Sequence, residues 1–180
     1  MAWRVAKSLD VLRMQVNAKW PGRSRASDGT IGDPAHTSRI SDHNVNDAGV
    51  VTALDITHDP LHGPDARKLA EALVASKDAR IKYIISNGEI VSGMGQEHPA
   101  WVWRRYTGSN AHRSHMHISV RPQHYDHEAA WQIGQQPAVG STLWLQQALN
   151  RHGARLKEDG IEGSATAAAI RAFAVEKLKG

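Results

Sequence analysis

The sequence predicts an α+β protein, in which a small antiparallel sheet with flanking helices is followed by a small α-helical module. Short apolar runs bounded by turn residues are typical of strands. Longer stretches with apolar residues three and four positions apart are typical of amphipathic helices. Beyond Tyr125 the strand-like runs end and only helical patterns remain, which indicates a second module.

The individual elements follow from these patterns and from the residues at their ends. Ser8 is expected to cap the first helix, and Pro21-Gly22 to end it. Asn87-Gly88 lies between two apolar runs and is the strongest hairpin signal in the chain. The predicted elements are helix 8–20, strand 50–57, helix 65–76, hairpin strands 81–86 and 89–92, strand 116–120, helix 143–150 and a last helix that ends at Lys177.

These elements divide into two predicted domains. Residues 1–131 form the first, 132–140 read as a linker, and 141–180 form the short helical module. A length of 180 residues fits one domain with a small second module. With 41% apolar residues, the chain has enough apolar surface for a packed core.

Composition and charge exclude several classes of function. Cysteine is absent, which excludes a thiol nucleophile and a cysteine zinc finger. The net charge of +4 favours an anionic polymer as partner. No basic run or helix-turn-helix pattern indicates nucleic acid. No apolar stretch is long enough to span a bilayer, and the N-terminal residues lack the core of a signal peptide. A monomer without a membrane partner is therefore expected.

Two distant stretches carry metal-binding chemistry. The first holds His43 and, at the end of an apolar run, Asp55. The second holds His115 and His117, which alternation along a strand places on one face. Two imidazoles and a carboxylate suit a catalytic zinc with one open position. One histidine of the pair can then bind zinc while the other lies beside the water that the zinc activates.

The same residues resemble a known family. Ser41-Asp42-His43 followed by Ala53-Leu54-Asp55 resembles the Ser-x-His…Ala-x-Asp signature of the M15 zinc peptidases, which act on peptidoglycan and include many phage endolysins. The segment from His115 to His117 resembles the His-x-His of the wider group that shares their fold. The resemblance covers residues 20–122. It implies a zinc cofactor held by His43, Asp55 and His117, with His115 at the catalytic face.

Two departures from the family pattern change the expected site. Eleven residues separate His43 from Asp55, more than the family usually has, which indicates a loop insertion over 44–49. Asp47 lies within this turn-like insertion and is the weaker ligand candidate. Many members carry a carboxylate three residues before the last histidine as general base, but here that position is Ser114. The role of base therefore passes to His115 or to a more distant residue.

Two long polar loops, 22–40 and 93–113, are expected to border the site. A guanidinium group in the first loop suits a substrate carboxylate, although solvated loop charge is an equal alternative. A histidine in the second loop is a candidate polar partner for substrate or water. The candidate substrate-binding residues are Arg25, Arg39 and His112, with Arg23 as a further arginine of the same loop.

The C-terminal module also bears a resemblance. Leu145-Gln146-x-x-Leu149-Asn150 and Asp159-Gly160-Ile161 resemble parts of the three-helix peptidoglycan-binding repeat, and the alternative is a helical hairpin packed on the first domain. Together the resemblances imply a peptidoglycan endopeptidase, most consistent with cleavage at L-Ala-D-Glu, of the phage endolysin type. Such an enzyme stays in the host cytoplasm until release to the bacterial cell wall. A D,D-carboxypeptidase and an inactive wall-binding protein are the alternatives.

Overall fold

A five-stranded antiparallel sheet is the centre of the first of two compact units into which the computed structural model divides the chain, residues 1–134 and 135–180. The structure describes residues 3–32, 40–134, 142–157 and 161–178. In these ranges the first unit contains β1 Arg4–Val5, α1 Lys7–Lys19, β2 Val50–Val51, β3 Ala53–Thr57, α2 Ala66–Ala75, β4 Ile81–Ser86, β5 Glu89–Ser92, β6 Arg104–Arg105 and β7 His115–Val120. The second unit contains α3 Thr142–Arg151 and α4 Ser164–Leu178.

The main sheet has the strand order β3-β7-β4-β5-β6, and β1 and β2 form a separate parallel pair. The predicted antiparallel sheet with flanking helices is confirmed, and so is the Asn87-Gly88 hairpin. Both turn residues have positive φ, as a two-residue hairpin turn requires. The strand predicted over 50–57 is interrupted at Thr52, because Val50 and Val51 pair with β1 while Ala53–Thr57 pair with β7.

The core lies on one face of the main sheet, against α1 and α2. Apolar side chains of β3, β7 and β4 alternate toward this face and are fully buried with the inner stripes of both helices. The members with almost no exposed surface include Leu9, Leu12, Leu54, Ile56, Leu73, Ile84, Met116 and Ile118. Burial of one face leaves the alternate residues of the same strands free to build a site on the other.

The prediction that Ser8 caps α1 is wrong. The helix begins at Lys7, its N-cap is Ala6, and no side chain caps it. Ser8 is fully buried, and its backbone N–H donates to the carbonyl of Tyr125. A tertiary contact therefore provides an acceptor for a backbone N–H group in the first turn of the helix, where a capping side chain would otherwise act.

The last residues of the first unit pack back on its core. The Arg80 guanidinium donates to the carbonyls of His127, Ala129 and Ala130 and lies 3.8 Å from the ring centroid of the buried Trp131. Lys19 Nζ donates to the carbonyl of Gly134 at 2.8 Å. The first unit thus reaches into the predicted linker 132–140, of which residues 135–140 lie outside the described ranges.

The second unit contains two helices whose buried polar side chains connect them. Gln146 of α3 is almost fully buried, and its amide donates to the carbonyl of Ile161 and to the hydroxyl of Thr166. Asn150 exchanges two hydrogen bonds with the backbone of Leu156. These polar contacts hold the chain between the helices in place.

Candidate metal centre

The pairing of β3 with β7 brings three of the predicted site residues to one face of the sheet. Asp55 lies directly opposite His117, and Thr57 lies opposite His115. Directly opposite residues of antiparallel strands project to the same side, and alternation places His115 on that side too. The residues between them point into the core. The same register that buries the apolar side chains therefore assembles the site.

His43 reaches this face from a turn that precedes β2. Its Nδ1 is hydrogen-bonded to the carbonyl of Thr30, and its own carbonyl accepts from Gly32 N–H at 2.9 Å. The Ser41 hydroxyl accepts from the His43 backbone N–H. The segment before β2 and the segment around residue 30 thus fix both the backbone and the ring of His43.

Gly29 runs alongside Asp55 and determines how closely the loop approaches the carboxylate. The two residues exchange backbone hydrogen bonds of 3.3 and 2.8 Å. A Cβ atom on residue 29 would lie 2.8 Å from Asp55 Oδ2, closer than such contacts normally are. Only glycine therefore allows the loop to bond the backbone of Asp55 without displacing its side chain.

Three polar atoms converge at the centre of this arrangement. His43 Nε2 lies 3.1 Å from His117 Nδ1 and 3.3 Å from Asp55 Oδ1, and His117 Nδ1 lies 3.0 Å from the same oxygen. For bonds of about 2.0–2.1 Å to a tetrahedral metal, neighbouring ligand atoms are separated by roughly 3.3 Å. The group His43-Asp55-His117 can therefore hold a metal ion.

The hydrogen bonds on the far side of each ring favour a cation at this point. Nδ1–H of His43 donates to the Thr30 carbonyl, and Nε2 of His117 lies 2.9 Å from the Ser119 hydroxyl. With these outer nitrogens protonated, the inner nitrogens present lone pairs toward each other. Burial raises the pKa of Asp55, but with a proton at this centre in place of a metal, N–H donation from His117 and His43 holds the pKa well below its usual range, so Asp55 is an anion. Two nitrogen lone pairs and the Asp55 carboxylate thus converge on one point. A cation bound there accepts the lone pairs and balances the negative charge.

The outer nitrogen of His117 faces a polar environment. Its Nε2 lies 2.9 Å from the Ser119 hydroxyl. Asp42, which is held by Lys82 Nζ at 2.7 Å, and Tyr83, whose ring stacks on His117, lie next to Ser119. Burial raises the pKa of Tyr83, which keeps its hydroxyl protonated. Sequence reasoning missed Ser119, although its spacing of two residues from His117 already places it on the site face.

His115 lies next to the cluster and is not a member of it. Its Nε2 is 3.9 Å from Asp55 Oδ2, and its Nδ1 is 3.1 Å from the hydroxyl of Ser114. Burial is the main cause that lowers the pKa of His115, so the ring is neutral at neutral pH. Ser114 thus supports the ring of His115.

His112 is the one predicted substrate-binding residue that the described ranges place at the cluster. Its ring centroid lies 4.9 Å from that of His115 and 5.6 Å from that of His117. Its φ of +50° is unusual for histidine, and Asn110 holds this conformation through its side chain and its carbonyl. Burial, with the two neighbouring histidines, lowers the pKa of His112 to about 4.

The other predicted residues lie elsewhere. Arg25 is exposed, and Arg39 lies outside the described residues, so both remain predictions. Arg23, the further arginine of that loop, is fully buried and pairs with Asp28 through both nitrogens of its fork, which gives it a structural role. Asp47 is exposed in a turn closed by Asn46, which confirms the turn predicted over 44–49, and Asp47 lies outside the cluster.

No protein-family model matches this chain, and no curated protein or solved structure is significantly similar to it. In the part of the chain that the structure describes, no helix has the length and apolar character needed to cross a membrane. The fold and the site define a mixed α/β protein with a His-Asp-His group that can hold a metal ion.

Proposed function

We propose that this protein is a zinc-dependent peptidase that cleaves the stem peptides of bacterial peptidoglycan, at the L-Ala-D-Glu bond. One observation carries the proposal: His43 Nε2, Asp55 Oδ1 and His117 Nδ1 converge within 3.3 Å of one another beside a neutral, partly buried histidine, His115. Three protein ligands with one position open to water or substrate are typical of catalytic zinc, whereas structural zinc sites are closed by four.

The donor set favours zinc over magnesium and calcium. Two imidazole nitrogens and one carboxylate oxygen suit zinc, while magnesium and calcium prefer sites made of oxygen only. The outer hydrogen bonds of His43 and His117, to Thr30 and Ser119, are the supporting contacts that zinc-binding histidines usually have. The residues of this chain thus fit the ion that the family resemblance implies.

The chain's own residues supply the acid–base chemistry. When bound, zinc supplies Lewis acidity that activates a water molecule and polarises a substrate carbonyl. His115 is neutral at neutral pH because burial lowers its pKa, so its Nε2 is available to accept a proton when Ser114 engages Nδ1–H. His112 is neutral for the same reason and presents Nε2, since its Nδ1 is engaged by Asn110. We assign His115 as the base and His112 to substrate contact.

The choice of substrate is supported by the sequence outside the metal centre. The M15-like signature, the net charge of +4 and the peptidoglycan-binding-like pattern of the second unit all favour an anionic cell wall. An endolysin made in the host cytoplasm and released to the wall fits this combination. Ser114, where the family often has a carboxylate, favours the second candidate, an inactive wall-binding protein on the same fold.

Digestion of purified peptidoglycan followed by mass spectrometry of the released fragments tests the proposal. The zinc-loaded protein is expected to produce new amino termini at one stem-peptide bond. The chelator-treated protein and His43→Ala are expected to produce none. New termini at D-Glu identify the endopeptidase, and loss of terminal D-Ala identifies the carboxypeptidase. Zinc-loaded protein that binds the wall and releases no fragment contradicts the peptidase and supports the wall-binding candidate.

A further inference from the structure

One row of side chains crosses all five strands of the main sheet on the face of the metal centre. Asp55 lies opposite His117, His117 opposite Ile85, Ile85 opposite Ile90, and Ile90 opposite Arg104. Directly opposite residues in antiparallel pairs project to the same side of a sheet. The row therefore begins at the metal-binding group and ends, on the edge strand β6, at the arginine Arg104.

The Arg104 side chain has an unsatisfied donor. Its Nη1 is buried, and none of the described residues accepts a hydrogen bond from it. Arg23 and Arg80, the two most buried arginines among the described residues of the first unit, are each engaged by a carboxylate and by at least one backbone carbonyl. An unpaired guanidinium group that is partly withdrawn from water is costly, and the described residues provide no carboxylate or carbonyl for the other nitrogens of Arg104 either.

The neighbouring arginine provides a contrast on the same strand. Arg105 lies opposite Glu89 and, by alternation, projects to the other face of the sheet, where it is exposed. On that face Arg67 pairs with Glu89 and stacks on Trp103. The two arginines thus have the same charge and are neighbours on β6, but they face opposite sides of the sheet.

We propose that Arg104 is a substrate-binding residue that holds a carboxylate of the peptide bound at the metal centre. This inference rests on the proposed function, because it names the substrate group that the site recognises. A guanidinium fork binds a carboxylate through two parallel hydrogen bonds, and with Nη1 buried the Nε–Nη2 edge of Arg104 is the edge left for such a ligand. A stem peptide supplies this group, since D-Glu carries a free carboxylate next to the bond at L-Ala.

The spacing along the row agrees with this assignment. Three strand separations of about 4.8 Å lie between His117 and Arg104, roughly 14 Å between their Cα atoms. The Arg104 side chain covers part of this distance. The carboxylate that it binds therefore belongs to the same short peptide, within a few residues of the bond at the metal centre. Ile85 and Ile90 form the apolar floor between the two ends.

Two synthetic stem peptides that differ only at one group test this inference: one carries free carboxylates and the other carries carboxamides in their place. The zinc-loaded protein is expected to bind the acid form about ten- to a hundredfold more tightly, as a charge-assisted bidentate contact implies. Arg104→Gln is expected to remove this preference while zinc content and melting temperature stay at their wild-type values. Arg105→Gln is the matched control and is expected to retain the preference.

Binding measured by calorimetry separates this inference from the proposed function, because it needs no turnover. Equal affinity of the wild-type protein for the acid and the amide form overturns the assignment, as does an unchanged preference in Arg104→Gln. If Arg104→Gln does not fold, Arg104→Lys decides: it keeps the charge but not the fork, and a wild-type preference in that variant contradicts bidentate binding. If the wild-type protein prefers the acid form but cuts no peptide, and Arg104→Gln loses this preference, the result supports Arg104 as a carboxylate-binding residue and overturns the proposed peptidase activity.

Discussion

Asp55 supplies the negative charge of the metal centre, and replacing it tests the ligand assignment. Asp55→Ala removes one of three converging donors, so the variant is expected to lose zinc and activity together. Asp47→Ala is the matched control, because Asp47 is exposed in the turn and is expected to be dispensable for zinc. Zinc content after dialysis is the measurement. Loss of zinc from Asp47→Ala with retention in Asp55→Ala contradicts the assignment.

His115 is the second residue whose role can be isolated. His115→Ala is expected to keep stoichiometric zinc, since His115 lies outside the ligand group, and to lose at least about a hundredfold in kcat as a general acid–base residue. Turnover of a soluble muropeptide by the zinc-loaded variant is the measurement. Near-normal turnover shows that His115 only supports the local structure and directs the search for the base to His112.

Ser119 is the hydrogen-bond partner of the outer nitrogen of His117. Ser119→Ala leaves His117 Nε2 without its partner at 2.9 Å, so the ring orientation and tautomer that zinc binding needs are no longer held. Zinc affinity, measured by competition with a chelator, is expected to fall about ten- to a hundredfold. Ser76→Ala removes a hydroxyl that bonds the carbonyl of Leu73 at the end of α2 and is expected to leave the affinity unchanged.

At the scale of elements, a buried ion pair in the loop before Gly29 includes the carboxylate that binds this loop to the end of β3. Asp28 binds Arg23 and accepts from the backbone N–H and the hydroxyl of Thr57. Breaking the pair leaves Arg23 buried and uncompensated. Asp28→Asn is therefore expected to lower the free energy of unfolding by about 3 kcal/mol at pH 7, measured by urea denaturation.

The pH dependence of this loss has a definite sign. Burial alone raises the pKa of Asp28, but Arg23 and Thr57 more than offset it and hold the pKa below the ordinary value. The stabilisation is therefore complete above the unfolded pKa of about 3.9 and is lost as the pH falls through the folded pKa. The wild-type and Asp28→Asn curves are expected to converge in acid. A difference that stays constant from pH 7 to pH 2 contradicts this ion pair.

At the scale of the molecule, the first unit is expected to fold and cut soluble substrate alone. Trp131 is the last residue in the chain that belongs to its buried core, and Lys19 Nζ donates to the carbonyl of Gly134. A chain that ends at Pro137 retains all of these contacts. It is expected to bind zinc and cleave small muropeptides but to bind intact cell walls less than the full chain, as measured by co-sedimentation.

A shorter truncation provides the control for that experiment. A chain that ends at Tyr125 lacks Trp131 and the three carbonyls that Arg80 binds, and it is expected to be unstable. An insoluble 1–137 protein contradicts independent folding of the first unit. A soluble one with undiminished wall binding assigns the wall contact to the first unit.

The sequence by itself determined the elements and the chemistry of the candidate ligands. The alternation between buried and site-facing residues in β7 was predictable because side chains in a strand alternate with a period of two. The Asn87-Gly88 turn was predictable because few residue pairs tolerate positive φ at both positions. These signals are local. They placed His115 and His117 on one face before any partner strand was known.

Only the tertiary structure decided what those residues meet. The register of β3 on β7 places Asp55 opposite His117, and the close approach of Gly29 positions the Asp55 carboxylate. The buried ion pair with Asp28 shows that Arg23, a candidate for substrate binding in the sequence, has a structural role. The row that ends at Arg104 has no sequence signature, because β6 has two residues and carries no period to detect. Contacts between segments far apart in the chain depend on register and packing, which no local pattern specifies.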